Sequence, residues 1–293
     1  GAWCGAAVPQ WAYFLAWDEG SVQPQGSSAA AASGVDYRIV GDAKTEKKDK
    51  LSPVLLVGLP GARYEYMENL EALSVSGRRV IEVNFGGGVE GGGAAERAAQ
   101  LASVCAALKV PSVHVVAHGL GYSTAMQFVQ DGAVGVKSLS LISPYSAPSD
   151  LKLTAAAAVD PDKPINANTL ATLLPTGSAT ARQTCVAESL ASPSPASLAS
   201  LSRALTQPKL GGAALATALS PLSQPTLLIH GGERDIVTPN WTEMPPTVQY
   251  KTLDDGGHLP FVETPETLSR TLLDFFDAAD GVVSSRELKF AFF

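Results

Sequence analysis

The segment Val113-His114-Val115-Val116-Ala117-His118-Gly119-Leu120-Gly121-Tyr122 decides the fold of this chain. Its first half is an apolar run typical of a buried strand, and residues 120–129 have the spacing of a helix. Gly119 marks a tight turn between them, and the small residues Ala117 and Gly121 on either side allow the strand and the helix to approach closely. A buried strand that enters a helix through such a turn indicates an α/β protein.

The same alternation of apolar runs and helical spacing extends in both directions from this segment. The predicted strands are residues 54–57, 79–83, 113–116, 138–142, 226–230 and 248–253. The predicted helices are residues 63–74, 94–108, 120–129 and 265–276. Strands this apolar, separated by amphipathic helices, predict a mostly parallel central sheet flanked by helices.

The pattern breaks over residues 151–222, which are rich in Ala, Leu, Ser and Pro and show no strand signals. No aromatic residue occurs between Tyr145 and Trp241. We therefore predict a helical cap at 151–222, inserted between two parts of the core at 35–150 and 223–278. An aromatic N-terminal arm with a flexible tether (1–34) and an apolar C-terminal tail (279–293) complete the predicted organisation.

Composition excludes several classes of function. The 293 residues include 28 acidic and 21 basic side chains, for a net charge of −7, which argues against nucleic acid as a partner. Three scattered cysteines argue against a disulfide scaffold and against a zinc site. No apolar run is long enough to span a membrane. We expect a soluble, intracellular protein, and the start at Gly1 leaves import into a plastid or mitochondrion, after removal of a targeting peptide, as an open alternative.

Both ends of the chain are unusually apolar. Five aromatic residues fall within the first 17 positions, and the last four residues are Phe290-Ala291-Phe292-Phe293. The arm either folds onto its own domain or docks on a partner, since aromatic side chains are common anchors at interfaces. On the second reading, residues 1–20 and 288–293 would bind a partner protein.

Four segments carry a resemblance to a known family. Residues 117–121 have the form of the nucleophile elbow G-x-S-x-G, with Gly119 at the nucleophile position. Residues 55–61 resemble a strand followed by the loop H-G-[FW]-P-G, with Val57 in place of the histidine. Residues 225–235 resemble the family's late strand and the loop after it that carries the catalytic acid. Residues 254–263 resemble the loop that carries the family's catalytic histidine. In this order they resemble the α/β-hydrolase superfamily, in the branch of proline iminopeptidases and epoxide hydrolases, over residues 36–278.

The resemblance implies a role for each matching position. Asp235 would be the acid and His258 the base, and the backbone N–H groups of Leu59 and Leu120 would form an oxyanion pocket. Gly119 has no side chain, so the covalent chemistry of a serine hydrolase would be lost while glycine suits the strained turn.

No other residue is expected to replace the missing nucleophile. Ser123 lies one helical turn beyond the elbow, Cys105 is expected in the core, and Cys185 falls in the cap. We expect structural roles for the three remaining histidines, which are His114, His118 and His230. The glycine-rich run at 86–93 lacks the ending of a phosphate-binding loop, so neither a metal nor a nucleotide cofactor is expected.

Three hypotheses about function follow. The first is a catalytically inactive member of the fold that serves as a binding or structural subunit. The second is an active enzyme in which His258 and Asp235 act as a general base on a small ester, amide, epoxide or ketone. The third is an ordinary serine hydrolase inactivated at Gly119 by substitution. A small-molecule ligand is compatible with all three.

Overall fold

The computed structural model describes residues 17–22, 35–41, 51–58, 66–85, 93–144, 212–239, 241 and 244–282. Several predictions from the sequence lie outside these residues. They concern Leu59, Cys185, the first 16 residues of the arm, the glycine run 86–92, most of the cap (151–211) and the tail from residue 283.

Eight strands form a single sheet in the order β1-β2-β4-β3-β5-β6-β7-β8. The strands are β1 (Trp17–Val22), β2 (Val35–Val40), β3 (Val54–Val57), β4 (Val80–Asn84), β5 (Ser112–His118), β6 (Gly135–Ile142), β7 (Thr226–His230) and β8 (Val248–Thr252). β1 and β2 are antiparallel to their neighbours, whereas all pairings from β4 to β8 are parallel. The predicted mostly parallel α/β sheet is confirmed.

Six helices are described beside the sheet. They are α1 (Met67–Val75), α2 (Ala94–Ala107), α3 (Gly121–Asp131), α4 (Gly212–Leu219), α5 (Pro260–Glu263) and α6 (Pro265–Asp280). Because side chains alternate along a strand, the central strands contribute side chains to two core clusters, one on each face of the sheet. One cluster includes Leu55, Val57, Leu101 and Phe128, and the other includes Val54, Leu56, Leu70 and Phe276.

Among the differences from the sequence-based boundaries, three concern the predicted arm, cap and tail. Residues 17–22, assigned to the N-terminal arm, form an edge strand that pairs with β2. Helix α4, at the carboxyl end of the predicted cap, places Leu215 and Leu219 in the core cluster that contains Leu55 and Leu101, so this end of the segment packs with the sheet. Helix α6 continues to Asp280, two residues into the predicted tail, and stops at Gly281, which has a φ of +68°.

A buried polar cluster fastens α6 to the amino ends of the central strands. Arg78 donates to Asp280 at 2.5 Å and to Asp277 at 2.7 Å, and Asp280 also accepts bonds from the backbone and side chain of Ser52. His114 lies within this cluster, 3.1 Å from Asp280. Burial lowers the pKa of His114 to about 4, so the ring is neutral at pH 7. The cluster gives His114 a structural role.

Candidate active site

The candidate site lies at the carboxyl ends of the central strands. The chain moves from β3 to β4 on one side and then to β5 on the other, so the strand order reverses at β3. In open α/β sheets, ligands bind in the crevice at the carboxyl edge of such a reversal. Three residues follow the strands at this edge, Gly119 after β5, Ser143 after β6 and Asp235 in the loop after β7. His258 lies in the loop that follows β8.

Gly119 forms the turn between β5 and α3. Its φ is +51°, in the left-handed region that side chains with a Cβ disfavour. Its N–H donates to the carbonyl of Ile142, the last residue of β6, at 3.0 Å. A Cβ on Gly121, at the start of α3, would lie 2.9 Å from the carbonyl oxygen of Val57, so only glycine lets the helix approach β3 this closely. The turn therefore has the tight geometry of a strand-to-helix elbow.

Asp235 is completely buried and accepts four hydrogen bonds. One carboxylate oxygen, Oδ1, binds Nδ1 of His258 at 2.9 Å and the N–H of Val237 at 3.0 Å. The other, Oδ2, binds the hydroxyl of Ser143 at 2.5 Å and the N–H of Gly231 at 3.0 Å. Burial alone would raise the pKa of Asp235, but these bonds and the charge of His258 outweigh it and hold the pKa well below its usual range. Asp235 is therefore an ionised carboxylate.

His258 is buried, and its ring orientation follows from the bond to Asp235. Because an ionised carboxylate only accepts, Nδ1 of His258 carries the proton. In the neutral ring Nε2 then holds the lone pair, as a general base requires. The acid and histidine loops touch through their backbones, since a Cβ on Gly231 would overlap the carbonyl oxygen of Gly257. Glycine at 231 is what permits the 2.9 Å contact between the two side chains.

Two further histidines support the dyad from the ends of β5 and β7. His118 donates from Nε2 to the backbone carbonyl of His258 at 2.9 Å, and the two ring centroids are 4.8 Å apart. His230 donates from Nε2 to the carbonyl of Val237 at 2.9 Å and accepts the N–H of Gly232 at Nδ1. A ring that donates at one nitrogen and accepts at the other is neutral, so the 3.5 Å approach of His230 to Asp235 is not an ion pair.

Glu263 and Arg234 clamp the two loops together. The carboxylate of Glu263 accepts the N–H groups of Gly257 and Leu259, the residues on either side of His258. Arg234, next to Asp235 in sequence, donates to carbonyl groups of the histidine loop and lies 3.8 Å from Glu263. Since the Arg234 side chain is half exposed, its ion pair adds little stability, and its directed bonds to the loop matter more.

The structure brings together most of the site residues predicted from the sequence. Asp235 and His258 are hydrogen-bonded, and Gly119 is adjacent in the chain to His118, which contacts His258. Leu120 lies half-buried in the first turn after the elbow and packs against the core. Leu59 lies outside the described residues, so its part in an oxyanion pocket stays a prediction.

Ser143 was not among the residues predicted from the sequence. It is fully buried, has a φ of +44° that is unusual for a residue other than glycine, and donates to Asp235. The sequence signal for it was a serine directly after the predicted strand 138–142, at the carboxyl edge where the acid loop also begins.

The described residues contain neither a cluster of metal ligands nor a membrane-spanning helix. Within these ranges, no group of three or more His, Cys, Asp or Glu side chains is arranged to hold a metal ion. No helix in the same ranges is long and apolar enough to cross a bilayer.

Comparisons with known proteins agree with this fold. A thermophilic esterase from Thermogutta terrifontis superposes with a TM-score of 0.66 at 18% identity, over 90% of this chain and 99% of that one. A meta-cleavage product hydrolase from Pseudomonas fluorescens gives 0.66 at 20% identity, over 89% and 98%. A carboxylesterase from Bacillus subtilis gives 0.65 at 17% identity, over 88% and 91%. At such identities the similarity concerns the fold.

Sequence comparison identifies the family. A comparison with curated protein sequences gave no match. A family model described as the alpha/beta hydrolase family matches residues 54–271, about three quarters of the chain. This match spans the elbow, the acid loop and the histidine loop. The chain therefore belongs to the alpha/beta hydrolase family.

Proposed function

We propose that this chain is an α/β hydrolase without a covalent nucleophile, which serves as a binding or structural subunit of a larger assembly. The observation that carries the proposal is Gly119. It occupies the left-handed turn between β5 and α3, where the motif G-x-S-x-G holds the attacking serine. Glycine has no side-chain hydroxyl or thiol, so no acyl-enzyme can form at this position.

The intact dyad is compatible with a protein that does not turn over substrate. The carboxylate of Asp235 accepts backbone N–H groups from Gly231 and Val237, so it also organises its own loop. His258 joins that loop to the next one through its bond to Asp235. Replacing either partner would leave a buried polar group unpaired, which destabilises a fold whether or not it catalyses a reaction.

Labelling with a fluorophosphonate tests the missing nucleophile. Wild type, Gly119→Ser and Gly119→Ser combined with His258→Ala are incubated with the same probe. We expect no labelling of the wild type. If Gly119→Ser is labelled, the additional change His258→Ala should abolish that labelling. Labelling of the wild type at any site residue would overturn the proposal. Robust esterase or peptidase activity of Gly119→Ser would favour the third hypothesis, a serine hydrolase inactivated by substitution.

The native mass of the protein isolated from its source tests the subunit role. Co-migration with a large complex is expected, and a particle of 30.3 kDa would contradict the role. If a complex is found, two deletions locate the contact. Removing residues 1–16 spares strand β1, which begins at Trp17, and removing residues 288–293 spares helix α6. We expect either deletion to weaken the association.

A second candidate function rests on the geometry of the dyad. With Nδ1 of His258 bound to Asp235 at 2.9 Å, Nε2 can take a proton from water. The hydroxide formed would attack a carbonyl carbon, and the proton would pass from Nε2 to the departing alcohol or amine. Backbone N–H groups of Leu120 and Leu59 would stabilise the oxyanion.

Hydrolysis of small activated esters distinguishes this candidate from the first. Turnover by the wild type that is abolished in His258→Ala, and that leaves no covalent adduct on the protein, would establish general-base catalysis. Ser123→Ala is the matched control, because the Ser123 hydroxyl donates to the carbonyl of Leu120, the residue that precedes helix α3, and not to the dyad. Equal activity in wild type and His258→Ala would exclude this candidate.

A further inference from the structure

Ser143 connects the pieces of the candidate site. Its neighbour Ile142 accepts the N–H of Gly119 at 3.0 Å, so consecutive residues at the end of β6 hold the elbow and the acid. The N–H of Ser143 donates to the carbonyl of Ile229 at 2.8 Å and extends the β6–β7 ladder by one residue. This backbone bond holds the Ser143 side chain within hydrogen-bonding distance of the Asp235 carboxylate.

The backbone of Ser143 is strained at this point. A φ of +44° is costly for a residue with a Cβ, and glycine would relieve the strain. Such conformations persist only where the surroundings hold them, and they are concentrated at functional sites. The hydroxyl cannot act as a substitute nucleophile, since the residue is fully buried and donates to Asp235.

We propose that Ser143 is a positioning residue of the dyad. By donating to Oδ2, its hydroxyl orients the Asp235 carboxylate so that Oδ1 faces His258, and it withdraws part of the negative charge. This role rests on the proposed function and deepens it, because the Ser143 hydroxyl then helps to set the basicity of His258 toward a bound ligand.

The effect on the charge of Asp235 predicts how the His258 titration should shift when the Ser143 hydroxyl is removed. Three donors would still hold the carboxylate of Asp235 in place, namely Gly231, Val237 and His258. With one donor fewer, the carboxylate carries more charge and favours the protonated imidazole more strongly. The midpoint of the His258 titration should therefore rise.

Other charged and titratable groups around the dyad are not altered by this change. Among the described residues they are Arg234 in the acid loop, His118 at the end of β5, His230 at the end of β7 and Glu263 in α5. The Ser143 hydroxyl directs its one proton to Asp235 and to none of these side chains. Their influence on His258 should remain constant between the variants.

The test is a pH titration of the imidazole signals by NMR, in which only four histidines have to be assigned. Ser143→Ala removes the hydroxyl and keeps the strain, whereas Ser143→Gly removes both. A hydrogen bond to a charged group is worth about one to two pH units at the carboxylate itself. Since the imidazole senses only part of this, we expect the His258 midpoint to rise by about half a pH unit in both variants.

The matched control is Ser138→Ala, which removes another buried hydroxyl of the same strand. Ser138 binds Nδ1 of His114 at 2.8 Å, so this variant should alter the signals of His114 and leave the His258 midpoint unchanged. An unchanged or lower His258 midpoint in the Ser143 variants would overturn the proposal, and so would a rise in Ser143→Ala alone. If Ser143→Ala does not fold, Ser143→Gly, which suits the positive φ, decides. The readout uses no labelling, so it stands or fails separately from the missing nucleophile.

Discussion

Replacing Gly119 with alanine measures the strain at the elbow and the space beside it. A residue with a Cβ at a φ of +51° costs about 1–2 kcal/mol relative to glycine. The substitution also restricts the unfolded chain, which returns about 0.4–1 kcal/mol. We therefore expect Gly119→Ala, and likewise Gly119→Ser, to lower the free energy of unfolding by about 1 kcal/mol.

Two other glycines calibrate this value. Gly132 ends α3 with a φ of +63°, and a Cβ there would have no atom within 4 Å, so Gly132→Ala should cost the same as Gly119→Ala. Gly93 also has open space but a φ of −69°. Because it is the N-cap residue of α2, where glycine is preferred over alanine, the gain from restricting the unfolded chain is offset and Gly93→Ala should leave stability about unchanged. The assay is equilibrium unfolding in urea of the wild type and the three alanine variants at pH 7.

Two results would refute the reasoning about Gly119. If Gly119→Ala leaves the free energy of unfolding unchanged while Gly132→Ala lowers it, the elbow is not strained and glycine does not stabilise the fold at this position. If Gly119→Ala costs about 3 kcal/mol or more, a side chain meets filled space, as in overpacked cores, and a nucleophile could not be accommodated there. The second result would also explain a failure of Gly119→Ser to react with a fluorophosphonate.

Three further outcomes follow from the structure. The pKa of His114 is about 4 in the folded protein and 6.5 in the unfolded chain, so the unfolded chain binds a proton first as the pH falls. The free energy of unfolding should therefore fall by about 3 kcal/mol between pH 6.5 and pH 4. Urea unfolding across this range should show a smaller loss in His114→Phe, and an equal loss would contradict the assignment. Gly231→Ala should cost about 1–3 kcal/mol and displace the His258 ring signals, because its Cβ would overlap the carbonyl of Gly257, whereas Gly93→Ala should leave those signals in place. Burial raises the pKa of the Cys105 thiol to about 12, so peptide mapping should find it alkylated only after unfolding, and rapid modification at pH 8 would oppose this.

The accuracy of the sequence-based elements depended on how strongly each was buried. Strands β3 and β7 were predicted with their observed boundaries, because strands buried on both faces appear as uninterrupted apolar runs. Strand β2, with the sequence VDYRIV, was missed because charged residues interrupt its apolar positions. Strand β1, with the sequence WDEGSV, has no apolar run and was missed as well. It is a strand because its backbone pairs with β2, which in turn pairs with β4. An edge strand of this kind is specified by its neighbours and not by its own pattern.

The candidate site divides in the same way. The pairing of Asp235 with His258 was predicted from the order of the motifs, and the structure gives it a 2.9 Å hydrogen bond. The contribution of Ser143 was not predicted, because its partner is 92 residues away in sequence. The docking roles of residues 1–20 and 288–293, and import into an organelle, stay predictions.

The sequence by itself determined the α/β class, the glycine at the elbow and the two residues of the dyad. These follow from local apolar periodicity and from short motifs whose chain order matches a family pattern. Only the tertiary structure decided that Asp235 has four donors, that Ser143 is one of them and that Arg78 binds Asp280 of α6, 202 residues away in sequence. The physical reason is that periodicity is a property of neighbouring residues. Hydrogen-bond partners, in contrast, are determined when segments distant in sequence pack together, because each buried polar group then needs a partner.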